Sequence, residues 1–466
     1  MSKMQKNLLL ITFDQWRGDW GNPYKPIVEL PNIRKLAERG ITATRCYTSS
    51  PHCVPARFSW LTGLEPSRMG VTENKSIRMP PNAPSFVRDL QKAGWQTHLV
   101  GKTHWTPHDK DYDLRDNMEL MKEIGFDDVI EIGGPRAMRR IKCALTDEWD
   151  KAGVLNTHRE DLEKRYGQGF GQDAWQVRET VLPVDLYPDI WITRQAINKI
   201  CTMKTDKPWF LWVSFCGPHE PFDTPRPWKN RNRWTRLPTP IQTPEWVAKQ
   251  PKESVLFQTT KRWRSKLNKR AINACRRDYA DKLQLLDEQV GKLVEALDFS
   301  GHKEGTAVAI TADHGEHLGD FNSLYKGTFL ESAIRVPFVY CDTCSEKDGE
   351  SKKIVIKKPI NVSNAIQVIA SSLTSRAKIA DIVEQLEKTS YVIVEFKDEI
   401  MIIKKNKKVA MKNDGRLLWG TNIKKDPREQ ENCILGARNK KTWEVLISIL
   451  RKEINNRSRD DWKLIL

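Results

Sequence analysis

Long hydrophobic runs are missing from this chain of 466 residues. Its longest apolar runs, such as residues 8–11 and 209–213, have the length of a strand and fall far short of the roughly 20 residues that cross a bilayer. The apolar stretch near the N-terminus ends at Asp14, which is too early for the hydrophobic region of a signal peptide. We therefore expect no association with a membrane and a cytoplasmic location.

A disulfide framework is also missing. The nine cysteines are an odd number without regular spacing, and a large chain without a signal peptide is expected to keep them reduced. Cys341 and Cys344 form a single C-x-x-C, but no second pair and no nearby histidine accompanies them. We therefore expect no zinc or redox site at this pair.

Negative charge is scarce relative to positive charge, because 77 Lys and Arg outnumber 60 Asp and Glu and give a formal net charge of +17. The excess is concentrated in residues 224–277, with about fifteen Lys and Arg against two acids, and in the Lys-rich tail after residue 352. Such segments attract anionic substrates or polymers, or they form solvated surface. We interpret the Lys-rich tail as solvated surface. We do not expect nucleic-acid binding, because charge alone favours it and no nucleic-acid motif is present.

Short apolar runs alternate with amphipathic stretches over most of the chain. The predicted strands are residues 7–13, 97–100, 209–215, 306–311 and 336–340, and the predicted helices are residues 32–39, 85–93 and 279–297. Continuous apolar runs that alternate with helices are typical of buried parallel strands. The pattern predicts an α/β fold with a doubly wound, mostly parallel sheet and helices on both faces.

The pattern changes near residue 378. Residues 391–396, 399–404 and 408–412 resemble short antiparallel strands, and residues 441–453 have the pattern of a helix. We therefore predict two domains, a large catalytic domain over residues 1–378 and a small α+β domain over residues 379–466.

Polar residues follow four of the predicted strands at the point where each strand ends. They are Asp14 after the first, Lys102 and His104 after the second, His219 after the third, and Asp313 with His314 after the fourth. In open α/β sheets, ligands bind beyond the carboxyl ends of the strands. The sequence therefore predicts an active site at that edge of the sheet.

Residues 50–63 read SPHCVPARFSWLTG and contain C-x-P-x-R followed by L-T-G. This segment resembles the signature of the formylglycine-dependent sulfatases, a family of the alkaline phosphatase-like superfamily. Further segments match the family in order along the chain. They are NLLLITFD (7–14), GLEPSRMGV (63–71), GKTH (101–104), GPHEP (217–221), TADHG (311–315), LYKGTFLESAIRVP (324–337) and DPREQE (426–431).

The resemblance implies an enzyme in which a formylglycine-generating maturation enzyme oxidises Cys53, and the hydrated aldehyde attacks the ester. It implies six catalytic residues, which are Cys53, Arg57, Lys102, His104, His219 and Lys326. His219 and Lys326 would lie beside the leaving group, and one of them would protonate it. His104 would accept the proton that releases the inorganic anion, while Lys102 and Arg57 would stabilise the charge. His52, His108 and His317 have no motif support and are left out.

The resemblance also implies one divalent metal ion, held by Asp14, Asp313 and His314, with Gln15 as a carbonyl ligand. Oxygen ligands suit a hard cation such as Ca²⁺ or Mg²⁺, whereas the imidazole favours Mn²⁺. We therefore expect Ca²⁺ or Mn²⁺, which would polarise the ester. An outward-facing polar side chain is the alternative for Gln15.

Some residues depart from the common sulfatase pattern. Gln15 follows Asp14 where many sulfatases have a second acid, His314 follows Asp313 where many have Asn, and Ala56 replaces a common Ser. This combination resembles the phosphonate monoester hydrolase and phosphodiesterase branch, in which a polar residue such as Asn74 would contact the substrate. We expect a sulfuric ester hydrolase, with phosphonate monoester or phosphodiester hydrolysis as one alternative and non-catalytic polyanion binding as a second.

The basic segment that follows His219 also contains tryptophans, and we expect it to form part of the rim of the site. The four are Trp228, Trp234, Trp246 and Trp263. Their faces would stack on the sugar of a saccharide sulfate ester, or they would pack the segment onto the domain. Small-molecule and saccharide sulfate esters therefore both remain candidate substrates.

Overall fold

The structure is a computed structural model and describes residues 6–167, 175–204, 206–263, 267–342, 353–375, 377–434 and 440–457. The strands are β1 Asn7–Asp14, β2 Ile41–Ala43, β3 Cys46–Tyr47, β4 Gln96–Lys102, β5 Asp128–Ile132, β6 Trp209–Pro218, β7 Thr306–Ala312, β8 Arg335–Val336, β9 Phe338–Asp342, β10 Ile354–Ile356, β11 Ile360–Asn361, β12 Val392–Phe396, β13 Glu399–Lys404, β14 Lys407–Lys412 and β15 Leu417–Asn422. The α-helices are α1 Pro31–Ala37, α2 Cys53–Thr62, α3 Phe86–Lys92, α4 Met118–Ile124, α5 Pro135–Met138, α6 Ala144–Lys151, α7 Leu155–Tyr166, α8 Pro188–Thr202, α9 Glu245–Ala248, α10 Val255–Trp263, α11 Lys269–Phe299, α12 Glu331–Ile334, α13 Val362–Ser375, α14 Ile379–Lys388 and α15 Lys440–Arg457.

An eight-stranded sheet forms the centre of the molecule, with the order β10-β2-β9-β7-β1-β6-β4-β5. Strand β1 pairs in parallel with β6 and β7, and β4 pairs in parallel with β5 and β6. Every residue of β1, β6 and β7 is buried, as the continuous apolar runs in the sequence predict. The doubly wound, mostly parallel sheet is therefore confirmed.

Helices from distant parts of the chain cover this sheet. Helices α8 and α11 pack against each other and against β6, whereas α13 packs against α2 and α3, and α3 contacts β4. Among the described residues, no helix is both long enough and apolar enough to cross a membrane. The cytoplasmic location stays a prediction.

The last strand of the sheet differs from its prediction. Residues 336–340 do not form one parallel strand. Pro337 separates β8 from β9, and β9 runs antiparallel to both β2 and β7. The segment between β7 and β9 contains no long crossover helix. The chain therefore re-enters the sheet at the edge where β7 ends, and β9 runs antiparallel to β7. Cys341 is buried in β9, whereas Cys344 lies outside the described residues.

The predicted α+β region near the C-terminus is confirmed and contains one strand more than predicted. Strands β12 to β15 form an antiparallel sheet in chain order, in which β15 is the additional strand. Alternate residues point to opposite faces: Ile400 and Ile402 face α15 and its Trp443, whereas Met401 and Ile403 face the rest of the protein. The domain boundary at residue 378 stays a prediction.

A buried ionic contact joins this sheet to the rest of the protein. The Lys408 ammonium on β14 donates to Glu331 Oε1 at 2.9 Å and to Glu429 Oε1 at 2.8 Å. Glu429 also accepts the backbone N–H of Glu331 at 2.9 Å, and it comes from the DPREQE segment. Because Lys408 is fully buried, its charge has few partners other than these two carboxylates.

We predict that Lys408→Met lowers the free energy of unfolding by about 3–5 kcal/mol, because it leaves the buried Glu429 and the partly exposed Glu331 without their cation. Chemical denaturation followed by tryptophan fluorescence measures this change. Lys425→Met, which removes an exposed lysine from the same region, is the control and changes stability by less than about 0.5 kcal/mol. Equal stability of the two variants would contradict a stabilising role for the buried contact.

Candidate active site

Cys53 lies at the N-terminus of α2, at the carboxyl edge of the central sheet. His52 precedes it in an extended conformation, so the chain turns into the helix at the cysteine. The Sγ atom of Cys53 lies 3.1 Å from His314 Nε2, 3.2 Å from Lys326 Nζ and 3.7 Å from Asp14 Oδ1. Side chains from β1, α2 and the segment after β7 therefore converge on the sulfur position.

Arg57 lies one helical turn after Cys53, on the same side of α2. Its Nε donates to Asp313 Oδ2 at 2.8 Å, and its Nη1 donates to the Lys102 carbonyl at 2.7 Å and to Ser214 Oγ at 2.9 Å. The guanidinium is buried and connects α2 to the carboxyl ends of β7, β4 and β6. The C-x-P-x-R spacing thus holds the cysteine in a fixed position over the sheet.

Two carboxylates and an imidazole form a compact buried group below Cys53. The Lys102 ammonium contacts Asp14 Oδ2, while the Oδ1 atoms of Asp14 and Asp313 lie 3.6 and 3.5 Å from His314 Nε2. His314 Nδ1 lies 3.0 Å from the Gly315 carbonyl, so Nδ1 carries the proton and the Nε2 lone pair faces the carboxylates.

This group could hold a metal ion. One ligand atom from each of Asp14, Cys53, Asp313 and His314 lies within 4.8 Å of all the others. Burial raises the pKa of Asp14, but the positive charges of Lys102 and its neighbours outweigh that effect and hold the pKa well below its ordinary value. Ionised oxygen ligands with one imidazole nitrogen fit a hard or borderline divalent cation.

Gln15 lies beside this group and is buried, so the alternative of an outward-facing side chain is wrong. Its Oε1 accepts a hydrogen bond from Lys326 Nζ at 2.7 Å. Its Nε2 donates to Glu220 Oε2 at 2.9 Å and also contacts Glu316. These contacts hold the Gln15 amide so that its oxygen faces the Lys326 ammonium, which also contacts the Cys53 sulfur.

His219 directly follows β6 and lies beside the group around Asp14 and Cys53. Its backbone N–H donates to the Asp14 carbonyl at 3.1 Å, and its Nδ1 donates to the Glu220 carbonyl at 2.7 Å. The Nε2 atom is therefore the nitrogen that remains for contacts in the cleft. Burial, followed by the charge of Lys326, lowers the pKa of His219 well below its ordinary value.

His104 lies in the loop after β4, with a left-handed backbone (φ 64°). Its Nδ1 is buried and has no hydrogen-bond partner among the described residues. Burial, followed by the charge of Lys102, lowers the pKa of His104 well below its ordinary value, so the ring is neutral and can accept a proton. The hydroxyls of Thr103 and Thr106 both donate to Glu131 Oε1 on β5, which ties the loop to the sheet.

Asn74 lies close to the start of α2. Its Oδ1 accepts the backbone N–H of Val54 at 3.0 Å, and its own N–H donates to His52 Nδ1 at 3.3 Å. The His52 ring contacts the ring of Phe396 from the C-terminal sheet, with centroids 4.3 Å apart. Asn74 therefore lies beside the cysteine and is oriented by a histidine that the sequence analysis left out, while its role in substrate binding stays a prediction.

A cleft of about 820 Å³ opens above these residues. Six of the predicted site residues line it, namely Cys53, Asn74, Lys102, His104, His219 and Lys326. Arg57 and the proposed metal ligands are buried beneath its floor. The sequence analysis did not identify several other basic residues in its wall, among them His52, His108, Arg136 and Arg262. Only His52, which precedes the motif cysteine, had a signal that could have identified it.

The tryptophan-rich segment contributes less to the cleft than expected. Trp228, Trp246 and Trp263 are buried, because Trp228 donates to Glu288 and Trp246 packs against Trp419. Only Trp263 lines the cleft, and Trp234 is 86% exposed away from it. Stacking of sugars by all four is therefore wrong, and packing explains three of them.

Comparison with known proteins shows the family to which the chain belongs. The Sulfatase family matches residues 6–371, well over half of the chain. An arylsulfatase of Clostridium perfringens is 26% identical over 478 residues, covering 97% of this chain and 95% of the relative.

Solved structures share the fold over almost the whole chain. The phosphonate monoester hydrolase of Agrobacterium radiobacter matches with a TM-score of 0.75 and 20% identity, covering 97% of this chain and 96% of that one. A protein in complex with its substrate D-glucosamine-2-N,6-O-disulfate matches with a TM-score of 0.70 and 16% identity, covering 99% of this chain and all of that one. The resemblance read from the motifs is confirmed: the chain belongs to the sulfatase family and is a sulfuric ester hydrolase.

Proposed function

We propose that the chain hydrolyses sulfate esters with a formylglycine that a maturation enzyme generates from Cys53. The observation that carries this proposal is the convergence of Asp14, His314 and Lys326 on the Cys53 sulfur position. A nucleophile at this point has an ammonium on one side and the carboxylate–imidazole group on the other. This arrangement suits attack on an anionic ester, whose charge must be neutralised in the transition state.

Each side chain around the cleft then has a separate task. The hydrated aldehyde supplies one hydroxyl for attack and a second for release of the sulfate. Lys326 donates a proton to the departing alcohol oxygen, and Gln15 orients the Lys326 ammonium. The Glu220 carbonyl orients the neutral His219 ring, whose Nε2 accepts a hydrogen bond on the same side of the cleft. His104 accepts a proton through its unpaired Nδ1 or its other ring nitrogen, since the neutral imidazole is the stable form.

Two cations hold the negative charge at the floor of the cleft. Lys102 contacts Asp14 and also lines the cleft, so it can contact a sulfate oxygen directly. Arg57 lies below and fixes the cysteine backbone and Asp313 relative to each other. Arg57 therefore acts mainly by positioning, whereas Lys102 contacts the substrate.

We further propose that Asp14, Gln15, Asp313 and His314 hold one divalent cation, Ca²⁺ or Mn²⁺. The support is that the Oδ1 atoms of the two carboxylates and His314 Nε2 face one another, while Lys102 and Arg57 hold the outer oxygens. Such a cation, when bound, polarises the ester and stabilises the anionic nucleophile.

The size of the cleft supports a saccharide sulfate ester as well as a small aryl ester, since about 820 Å³ accommodates a disaccharide. Phosphonate monoesters are the second candidate. The residues that favour them are Gln15, Ala56 and His314, which match the phosphonate branch of the family, and Asn74, which lies beside Cys53. Rates on a sulfate and a phosphonate ester of the same phenol distinguish the two.

Mass spectrometry of the tryptic peptide of residues 46–57 tests the nucleophile. We predict that Cys53 has lost sulfur and gained an aldehyde oxygen, whereas Cys46 in the same peptide still reacts with iodoacetamide. Cys53→Ala lowers kcat/KM for aryl sulfates by at least about 1,000-fold, because the nucleophile is lost. Cys46→Ala, the control, keeps the aldehyde and the activity. Full activity in a sample whose Cys53 is an intact thiol would refute the proposal.

Thermal unfolding with and without added Ca²⁺ or Mn²⁺ tests the metal site independently of turnover. At a hundredfold excess over its Kd, the bound ion raises the free energy of unfolding by about 2.7 kcal/mol. Asp313→Asn and His314→Ala abolish this metal-dependent difference, and elemental analysis shows less bound metal. Asp116→Asn, at an exposed acid, keeps it. The site is disproved if both site variants respond to the ions as the wild type does.

Glu131 makes the stability of the His104 loop depend on pH. Burial raises its pKa to about 7, although the Thr103 and Thr106 hydroxyls act against this, and its Oε2 has no hydrogen-bond partner among the described residues. The folded protein therefore binds this proton more tightly than the unfolded chain does. The stabilisation is present below the ordinary pKa of a glutamate and is lost as the pH rises through about 7.

We predict that, between pH 5 and 8, the wild type loses about 2–3 kcal/mol more unfolding free energy than Glu131→Gln does, because the neutral amide cannot ionise. Urea denaturation at a series of pH values measures the difference. Glu123→Gln, at an exposed glutamate, follows the wild-type curve. Parallel curves for wild type and Glu131→Gln would show that this carboxyl does not ionise in the window.

A further inference from the structure

Two arginines from distant parts of the chain line the cleft near His219 and Lys326. Arg136 lies on α5, directly after β5, and Arg262 lies in the last turn of α10. Neither belongs to a motif of the catalytic group. Both arginines lie on the side of the proposed leaving group, where they can contact the alcohol part of a substrate.

Arg136 is held beside His219. Its Nη2 lies 3.4 Å from Glu220 Oε1, and its guanidinium lies over the ring of Tyr166, with 5.0 Å between Cζ and the centroid. Its side chain is nevertheless 35% exposed, so a ligand in the cleft can reach it. Glu220 is fully buried, and its other oxygen accepts a hydrogen bond from Gln15, so its charge is shared.

Arg262 reaches the same region from the opposite part of the fold. Its guanidinium lies 5.7 Å from the ring centroid of Trp263, and that ring meets the ring of Tyr325 edge-on at 5.2 Å. Tyr325 directly precedes Lys326. The pKa of Arg262 is lowered by partial burial and then by the like charge of Arg136, so the two guanidinium groups act on each other.

The described part of the cleft wall is rich in positive charge. Among the described residues, the wall contains eight Lys and Arg, namely Lys75, Lys102, Arg136, Arg139, Arg140, Arg262, Lys326 and Lys397, and three acids, namely Glu73, Glu220 and Glu253. Lys102, Arg139 and Lys397 lie within 4.0 Å of the carboxylates of Asp14, Glu163 and Glu73. A single sulfate monoester brings one negative charge, which Lys102 and Lys326 already face at the floor. An anion that binds between Arg136 and Arg262 would relieve their repulsion and form charge-assisted hydrogen bonds with both.

We propose that Arg136 and Arg262 form a second anion subsite, which binds a carboxylate or a second sulfate on the alcohol part of the substrate. The physiological substrate is then a saccharide ester with at least two anionic groups rather than a simple aryl sulfate. This inference rests on the proposed sulfatase activity. It adds that the second charge of the substrate, and not the scissile sulfate, determines selectivity.

The test compares kcat/KM for sulfated disaccharides that carry the scissile sulfate alone, with a second sulfate at each available position, or with a uronic acid carboxylate. Wild-type enzyme with verified formylglycine is expected to prefer one of the doubly charged substrates by at least about tenfold. The preferred member tells whether sulfate or carboxylate occupies the subsite. Arg262→Gln is expected to reduce that preference to about threefold or less.

Arg262→Gln is the primary variant, because Arg136 also contacts Glu220, and Arg136→Gln supports it. Lys261→Gln is the matched control, because Lys261 is exposed on the same helix and does not line the cleft. It is expected to keep the full preference. Each variant is judged by the ratio of its kcat/KM for the doubly charged substrate to its kcat/KM for the monosulfated one. Because partial unfolding lowers both values equally, a partly unfolded variant still gives a valid ratio.

Two failures are distinguishable. If aldehyde-containing enzyme hydrolyses no sulfate ester in the series, the proposed function is wrong. If it hydrolyses the monosulfated disaccharide as well as every doubly charged one, or if the preference survives both arginine variants, the sulfatase activity stands and the second subsite is overturned.

Discussion

The hydrogen bonds of the Arg57 guanidinium are the interaction on which the site depends. One side chain on α2 binds a carboxylate after β7, a carbonyl at the end of β4 and a hydroxyl on β6. Without it, the helix that carries Cys53 would be attached to the sheet mainly by apolar contacts, which are not directional. Because the charge is buried, its partners must stay in place, and the same bonds that satisfy the arginine keep Asp313 and Lys102 in position.

Much of the fold follows from local patterns, because buried parallel strands and amphipathic helices leave clear signals in one chain. The sequence predicts strands β1, β6 and β7 within a few residues of their ends. Most of the predicted catalytic residues follow a strand or belong to the C-x-P-x-R motif, and their roles come from the resemblance to the family. The direction of β9 could not be predicted, since direction depends on the path of the loop before it rather than on the strand residues. Strand β15 was missed because its sequence, LLWGTN, contains Gly and Asn, which are rare in strands.

The part of the site that the sequence did not reveal consists of residues that act through distant contacts. Glu131 holds a loop that begins some 30 positions earlier in the chain. Arg136 and Arg262 line the same cleft from distant parts of the chain, so no spacing along the sequence connects them. The tryptophan-rich segment shows the opposite error. Aromatic residues among cations suggested a binding surface, but burial of three of the four explains them by packing, which is the more common role of tryptophan.

The contact between Phe396 and His52 gives the C-terminal sheet a place in the wall of the cleft. The turn after β12, with Phe396 and Lys397, reaches the residue that precedes the proposed nucleophile, whereas the proposed catalytic residues come from the central sheet and the segments that follow its strands. One short turn of the C-terminal sheet thus completes the wall of a cleft that the central sheet, its loops and its helices otherwise form. Exchange or lengthening of this turn would therefore reshape the wall of the cleft beside His52, while the side chains around Cys53 keep their places on the central sheet.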